Sequence, residues 1–121
     1  MAKILIVDDD QTFIDSTTDM LQQAGFEAIS ATTPQEGTGK AESEKPDLIL
    51  LDVTLQSPED GLIMGKEIHG KGIDIPIIIL ENVAKATAFS TDISTITVEA
   101  YAAKPLDPGK IIDKIKAIIN R

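Results

Sequence analysis

Cysteine and tryptophan are absent from this chain, histidine occurs once, and there are three phenylalanines and one tyrosine in 121 residues. Without cysteine there is no disulfide framework and no thiolate-held metal. A lone His69 cannot build a site from paired imidazoles, and we read it as an ordinary helix-end residue. Basic side chains are scarce as well: 11 Lys+Arg stand against 20 Asp+Glu, a formal charge of -9. Such a chain lacks the cationic stripe that displaces counterions from a phosphate backbone. Its four aromatics, Phe13, Phe26, Phe89 and Tyr101, offer few stacking platforms. Direct nucleic-acid binding is therefore not expected, and basic protein surfaces are the better partners. No apolar run is long enough to span a membrane, and the short run after Lys3 is too short for a signal peptide. We expect no membrane contact and a cytoplasmic location.

What is present fits one domain spanning residues 1–121. A chain of this length with 42% hydrophobic residues buries roughly two thirds of its unfolded surface. Ile4-Leu5-Ile6-Val7 runs into Asp8-Asp9-Asp10, and Leu48-Ile49-Leu50-Leu51 runs into Asp52. Unbroken aliphatic runs of this length read as strands buried on both faces, as in a parallel sheet. Between them, Phe13, Ile14, Thr17, Met20, Leu21 and Ala24 recur at helical spacing and Gly25 follows as a left-handed cap. Phe26 to Ala31 alternates like an edge strand. Thr33-Pro34-Gln35-Glu36 opens a second helix with an N-cap, a proline at the first turn and a capping-box glutamate. Gly37 and Gly39 should weaken that helix by about 1 kcal/mol each, and Lys45-Pro46 ends it.

Further on, Val53 to Asp60 has turn composition and leads to a short helix with Leu62, Ile63, Met64, Lys66 and Ile68, broken by Gly70-Lys71-Gly72. Ile75 to Leu80 is the most apolar stretch and predicts an interior strand with Pro76 at its start. A short strand from Val98 to Ala102 precedes Lys104-Pro105, and Asp107-Pro108 starts a last helix faced by Ile111, Ile112, Ile115, Ile118 and Ile119. Five β-then-α units with short loops imply a parallel sheet with helices on both faces. Ligands then bind at the carboxyl edge of the strands, where the chain gathers Asp8, Asp9, Asp10, Asp52, Glu81, Asn82 and Lys104. Close carboxylates repel by about 4 kcal/mol per pair at an effective dielectric near 20, so a divalent cation is the simplest reading. Asp10 also suits the cap of the first helix.

These motifs, Ile-Leu-Ile-Val-Asp8-Asp9-Asp10, Asp47-Leu-Ile-Leu-Leu-Asp52, Asp60-Gly61, Ile75-Pro76-Ile-Ile-Ile-Leu80 and Tyr101-Ala-Ala-Lys104-Pro105, occur in an order that resembles the receiver domain of bacterial two-component response regulators. The resemblance covers essentially the whole chain. It implies an α/β, three-layer, doubly wound, five-stranded parallel sheet of flavodoxin-like strand order 2-1-3-4-5. It further implies a phosphoacceptor switch in a phosphorelay. Asp52 would take the phosphoryl group, and Mg²⁺ would be held by Asp8, Asp9, Asp52 and the backbone carbonyl of Thr54. Lys104 would pair with the acyl phosphate, and Tyr101 falls at the aromatic switch position. The implied partners are a sensor histidine kinase or histidine phosphotransfer protein and an output protein of unknown identity. We expect a stand-alone switch rather than an enzyme.

Departures from that pattern are informative. Where the family carries Ser or Thr after the Ile77 to Leu80 strand, this chain has Glu81, which when ionised only accepts hydrogen bonds; we expect it to pair with Lys104 or to point away from the pocket. The loop from Asp52 to Gly61 is one residue longer than usual, with Gln56 in place of proline, and the Ser- and Thr-rich segment from Val83 to Thr97 predicts a short or frayed fourth helix. Two other functions compete with the phosphoacceptor: a degenerate receiver that only docks proteins, suggested by Glu81, and a haloacid-dehalogenase-like phosphatase with Asp8 as nucleophile in Asp8-x-Asp10-x-Thr12.

Overall fold

The two aliphatic runs that end in aspartate become neighbouring strands. The computed structural model describes residues 2–52, 64, 66–68, 70–82, 100–104 and 106–120. Its strands are β1 (Lys3–Val7), β2 (Glu27–Ala31), β3 (Leu48–Asp52), β4 (Ile77–Asn82) and β5 (Ala100–Lys104). They form one sheet in the order β2-β1-β3-β4-β5, with every adjacent pair parallel. This is the doubly wound order expected from the motif sequence. After β2 the chain returns across β1 to place β3 on its other side, so the strand order reverses between β1 and β3. A crevice opens at such a reversal, at the carboxyl ends of the strands.

Helices lie on both faces. They are α1 (Gln11–Gln23), α2 (Pro34–Glu44), the helical residues 64, 66–68 and 70, here α3, and α4 (Pro108–Ile119). Alternation along the strands sorts the core into two halves. Leu5, Val7, Ile49, Leu51, Ile77 and Ile79 pack with Ala41 of α2 and Met64 and Ile68 of α3. Ile4, Ile6, Leu48, Leu50, Ile78 and Leu80 pack with Ile14 and Leu21 of α1 and Ile111 and Ile115 of α4. β3 is buried at all five positions, which is why its sequence shows no polar alternation. β2 lies at the sheet edge, as its alternation predicted, and its first residue, Glu27, is exposed.

Helix boundaries follow their caps. Asp10, Thr33 and Asp107 each accept backbone N–H bonds at the starts of α1, α2 and α4. Glu36 Oε1 accepts from the amide of Thr32 at 2.8 Å, so the capping box closes one residue ahead of the cap. Gly25, at φ 93°, supplies the left-handed turn after α1. At the end of α2 that conformation falls to Lys45, at φ 48°, which a Cβ makes unfavourable. Near the amino edge of the sheet, Lys3 Nζ meets Glu44 Oε1 at 3.1 Å and Glu27 Oε2 at 3.5 Å. The Glu44 hydrogen bond is the main cause holding the amine above its ordinary range. That contribution is present at neutral pH and is lost only as alkali deprotonates the amine.

Two strand boundaries differ from the sequence reading. β4 starts at Ile77, not Ile75, and runs on through Glu81 and Asn82. Pro76 has no N–H to give the ladder, although its carbonyl accepts from Ile49 N at 2.9 Å. β5 begins at Ala100 and includes Lys104, two residues later than expected at its carboxyl end, because pairing with β4 continues to Asn82↔Lys104. The predicted frayed helix over Val83 to Thr97 and the loop holding Thr54 and Gln56 lie outside the described residues, as does His69.

The two glycines of α2 play different parts. A Cβ on Gly37 would lie 2.8 Å from the Sδ and Cε of buried Met64 and 3.2 Å from Val7 Cγ2, so the missing side chain lets α2 sit close to the sheet and α3. A Cβ on Gly39 meets nothing within 4 Å. Gly39→Ala should therefore stabilise the protein by about 0.5 to 1 kcal/mol, whereas Gly37→Ala should give no gain or a loss because Met64 must move within a filled core. Urea titrations of both variants check this. Equal stabilisation by the two would contradict the close-packing role of Gly37.

Candidate functional site

At the point of strand reversal, β1 and β3 end side by side. Their register pairs Val7 with Leu51, so the next residues, Asp8 and Asp52, follow on adjacent strands. One oxygen from each of Asp8, Asp9 and Asp52 lies within 4.8 Å of the others. Asp8 and Asp52 are buried, at 0% and 1% exposure, while Asp9 is exposed. The cluster thus opens to solvent on the Asp9 side.

Local backbone bonds set each carboxylate. The Asp8 amide donates to Ala31 O at 3.1 Å, extending the β1–β2 ladder by one residue. Asp8 Oδ1 accepts from the Asp10 amide at 2.9 Å, which turns the chain sharply into α1. Asp10 has a different task. Its Oδ1 accepts from Thr12 N at 3.0 Å and Phe13 N at 3.3 Å, closing the start of α1, and it is not one of the three converging acids. Consecutive aspartates therefore divide between the cluster and the helix cap.

Three carboxylates held this closely repel one another by at least about 3 kcal/mol per ionised pair at an effective dielectric near 20. Bringing in a small divalent cation reverses the sign of that interaction. The donor set is all oxygen, part buried and part open, which suits Mg²⁺: the ion takes hard oxygen ligands at about 2.0 to 2.1 Å and keeps several waters. Asp8, Asp9 and Asp52 thus fit the cation that the sequence implied.

Other candidate residues are placed by the backbone. Asp52 is paired with Leu80 and Leu80 with Ala102, so Lys104 ends β5 two residues beyond the rung that holds Asp52. Register sets Lys104 beside Asn82, Glu81 beside Ala103 and Tyr101 beside Ile79. Sequence reasoning put Glu81 after its strand; the ladder keeps it within β4. It put Asp10 at the cap of the first helix and Asp8 and Asp9 at the cation, and the hydrogen bonds of Asp10 to the Thr12 and Phe13 amides agree.

Fold and site together define a class. Residues 4–116 match the family described as the response regulator receiver domain, and the chain belongs to that family. Among curated relatives, it is 34% identical over 120 residues to the alkaline phosphatase synthesis transcriptional regulatory protein PhoP of Bacillus subtilis (strain 168), covering 98% of this chain and 49% of that protein. It is 33% identical over 122 residues to the phosphate regulon transcriptional regulatory protein PhoB of Pseudomonas aeruginosa, covering 98% and 52%. The chain therefore spans about half the length of these relatives. Among solved structures, the N-terminal domain of a response regulator/sensory box/GGDEF 3-domain protein from Carboxydothermus hydrogenoformans superimposes with a TM-score of 0.86 at 24% identity, covering 98% of this chain and 94% of that one. Receiver domains are signalling switches, and the homology favours the phosphoacceptor switch over the docking-only and phosphatase alternatives. Among the described residues, no helix is long and apolar enough to cross a membrane.

If the converging acids are a cation site and Asp10 is only a cap, two substitutions should separate the roles. Asp10→Ala is expected to cost about 1 kcal/mol of stability while keeping the rise in melting temperature that Mg²⁺ produces. Asp8→Asn should lose most of that Mg²⁺-dependent rise, since binding to the folded state alone is what stabilises. Thermal melts with and without Mg²⁺ decide; an unchanged Mg²⁺ response in Asp8→Asn would count against the site.

Proposed function

We propose that residues 1–121 act as one receiver domain in which Asp52 accepts a phosphoryl group. The observation that supports this most is the convergence of buried Asp52 with Asp8 and exposed Asp9 at the strand reversal. In this reading Asp8, Asp9, Asp52 and the Thr54 backbone carbonyl hold Mg²⁺, which when bound offsets charge on the phosphoryl oxygens. An Asp52 carboxylate oxygen attacks phosphorus while the phosphorus–nitrogen bond of a phosphohistidine breaks, and the freed imidazole takes up a proton. The product is an acyl phosphate on Asp52. Lys104 supplies a positive charge against the transferred group, and the remaining contribution of the chain is positioning.

The donor is accordingly a sensor histidine kinase or a histidine phosphotransfer protein, and the response is passed to a protein partner. Each phosphoryl group is taken up stoichiometrically, so the domain works as a switch rather than as a catalyst that turns over. A phosphoryl group adds about -1.5 to -2 charges, and Glu81, which only accepts hydrogen bonds when ionised, cannot donate to that group as a hydroxyl would. Tyr101 is the second switch position. The phosphatase alternative is further weakened by Asp10: the acid that would serve a nucleophilic Asp8 has its carboxylate directed at the α1 amides.

Intact-mass measurement after incubation with acetyl phosphate tests the proposal. One phosphoryl group per chain is expected with Mg²⁺ and none with a chelator. Uptake that ignores the chelator, or no uptake with Mg²⁺, would overturn it.

A further inference from the structure

The end strand of a sheet carries a row of backbone groups that a further strand could use. β2 holds that place here, and two ladder bonds show which of its groups turn outward. The Glu27 amide donates to Ala2 O at 2.8 Å and the Asp8 amide donates to Ala31 O at 3.1 Å, so Glu27, Ile29 and Ala31 address β1. Ladder bonds alternate along a strand, which directs the amides and carbonyls of Ala28 and Ser30 away from the sheet. Side chains of α2 reach that side. Lys40 Nζ donates to Ser30 O, and Glu36 Oε1 accepts from the Thr32 amide, the next to turn outward, at 2.8 Å. Glu36 and Lys40 stand one turn apart on α2, beside the face formed by Pro34, Gly37, Thr38 and Ala41 that this helix buries.

We propose that Glu36 and Lys40 form a guard along the β2 edge, which keeps it from pairing with β2 of a second copy. The strand is otherwise suited to such pairing. Its centre, Ala28-Ile29-Ser30, is uncharged, and a two-fold axis through Ile29 sets Ala28 of each copy opposite Ser30 of the other. Each such pair exchanges two bonds, from the Ala28 amide to Ser30 O and from the Ser30 amide to Ala28 O. Lys40 holds the Ser30 carbonyl, an acceptor that this ladder needs once in each copy. Glu36 holds the Thr32 amide, which would lengthen the ladder. The Lys40 bond is charge-assisted and so belongs to the stronger kind. An incoming strand must displace it and then leave an ammonium group beside the new ladder, twice per pair. Helix α2, which contributes none of the converging acids, thus keeps the sheet closed at five strands.

Sedimentation equilibrium and amide hydrogen exchange of the full chain test this. Lys40→Met keeps the length of the side chain and removes its donor. It should associate at least about tenfold more tightly than wild type. Its Ala28 and Ser30 amides should exchange at least about tenfold more slowly at high protein concentration than at low. In wild type the exchange of those two amides should not depend on concentration. Lys40→Arg, which can still donate to Ser30 O, should behave as wild type. Adding Ala28→Pro to Lys40→Met removes an outward N–H from each copy and leaves the β1 ladder intact, at a place where an edge strand tolerates proline. Association should then return to the wild-type level, with circular dichroism showing the chain folded. The exchange measurement on Lys40→Met needs no proline and decides by itself if Ala28→Pro costs the fold. Association and exchange in Lys40→Met that match wild type, concentration-dependent protection of Ala28 and Ser30 already in wild type, or tight association that persists in folded Ala28→Pro/Lys40→Met, overturns the proposal.

Discussion

Asp52→Asn should take up no phosphoryl group under conditions that load the wild type, and in the absence of divalent ions it should melt at a higher temperature than the wild type. The first effect is chemical. The amide has nearly the shape of the carboxylate but no anionic oxygen to attack phosphorus. The second effect is electrostatic. Asp52 is 1% exposed and lies within 4.8 Å of oxygens from Asp8 and Asp9, so removing its charge relieves a repulsion on the order of 3 kcal/mol per ionised pair at an effective dielectric near 20. Part of that relief is offset by losing the interactions that the charged Asp52 carboxylate makes in the folded chain, leaving a net gain of about 1 kcal/mol. Adding Mg²⁺ should then narrow or reverse the gap, since the wild type binds the ion more tightly. Mass spectrometry and paired thermal melts measure both. A phosphorylated Asp52→Asn chain, or a variant less stable than the wild type without metal, would refute the site as described.

The largest structural effect should come from Leu50→Ala, with a loss of about 3 to 4 kcal/mol. Leu50 is fully buried in the middle of β3, paired with Ile6 on one side and Ile78 on the other. Strands on both sides and helices above leave little room for collapse, and large-to-small changes at such positions cost about 2 to 5 kcal/mol through lost transfer energy and the cavity left behind. Against a total stability of about 5 to 15 kcal/mol, the variant should still fold at room temperature yet unfold at a much lower urea concentration. A loss below about 1.5 kcal/mol would mean that the sheet repacks freely. Leu50 also lies two residues before Asp52 on the same strand, so a relaxed β3 should slow phosphoryl uptake as well.

How far these properties could be read beforehand differs from element to element. The aliphatic runs before Asp8 and Asp52 marked two doubly buried strands, because only a parallel interior strand dispenses with polar alternation. Capping residues at Asp10, Thr33 and Asp107 marked helix starts, because their side chains satisfy amides that nothing else in the sequence reaches. Ends of strands were harder. Glu81 and Asn82 look like loop residues, yet the ladder with β5 carries them into β4, and only the pairing partner decides where a strand stops.

By itself, then, the amino-acid order determined the class of fold, its strand sequence and the three acids that meet, since periodicity, caps and motif order are local and survive in one dimension. Tertiary structure decided what depends on neighbours distant along the chain. It buried Asp8 and Asp52 while leaving Asp9 in solvent and pressed Gly37 against Met64. Each of these rests on segments far apart in the sequence that the parallel sheet brings together, and such contacts leave no periodic trace in the residues that make them.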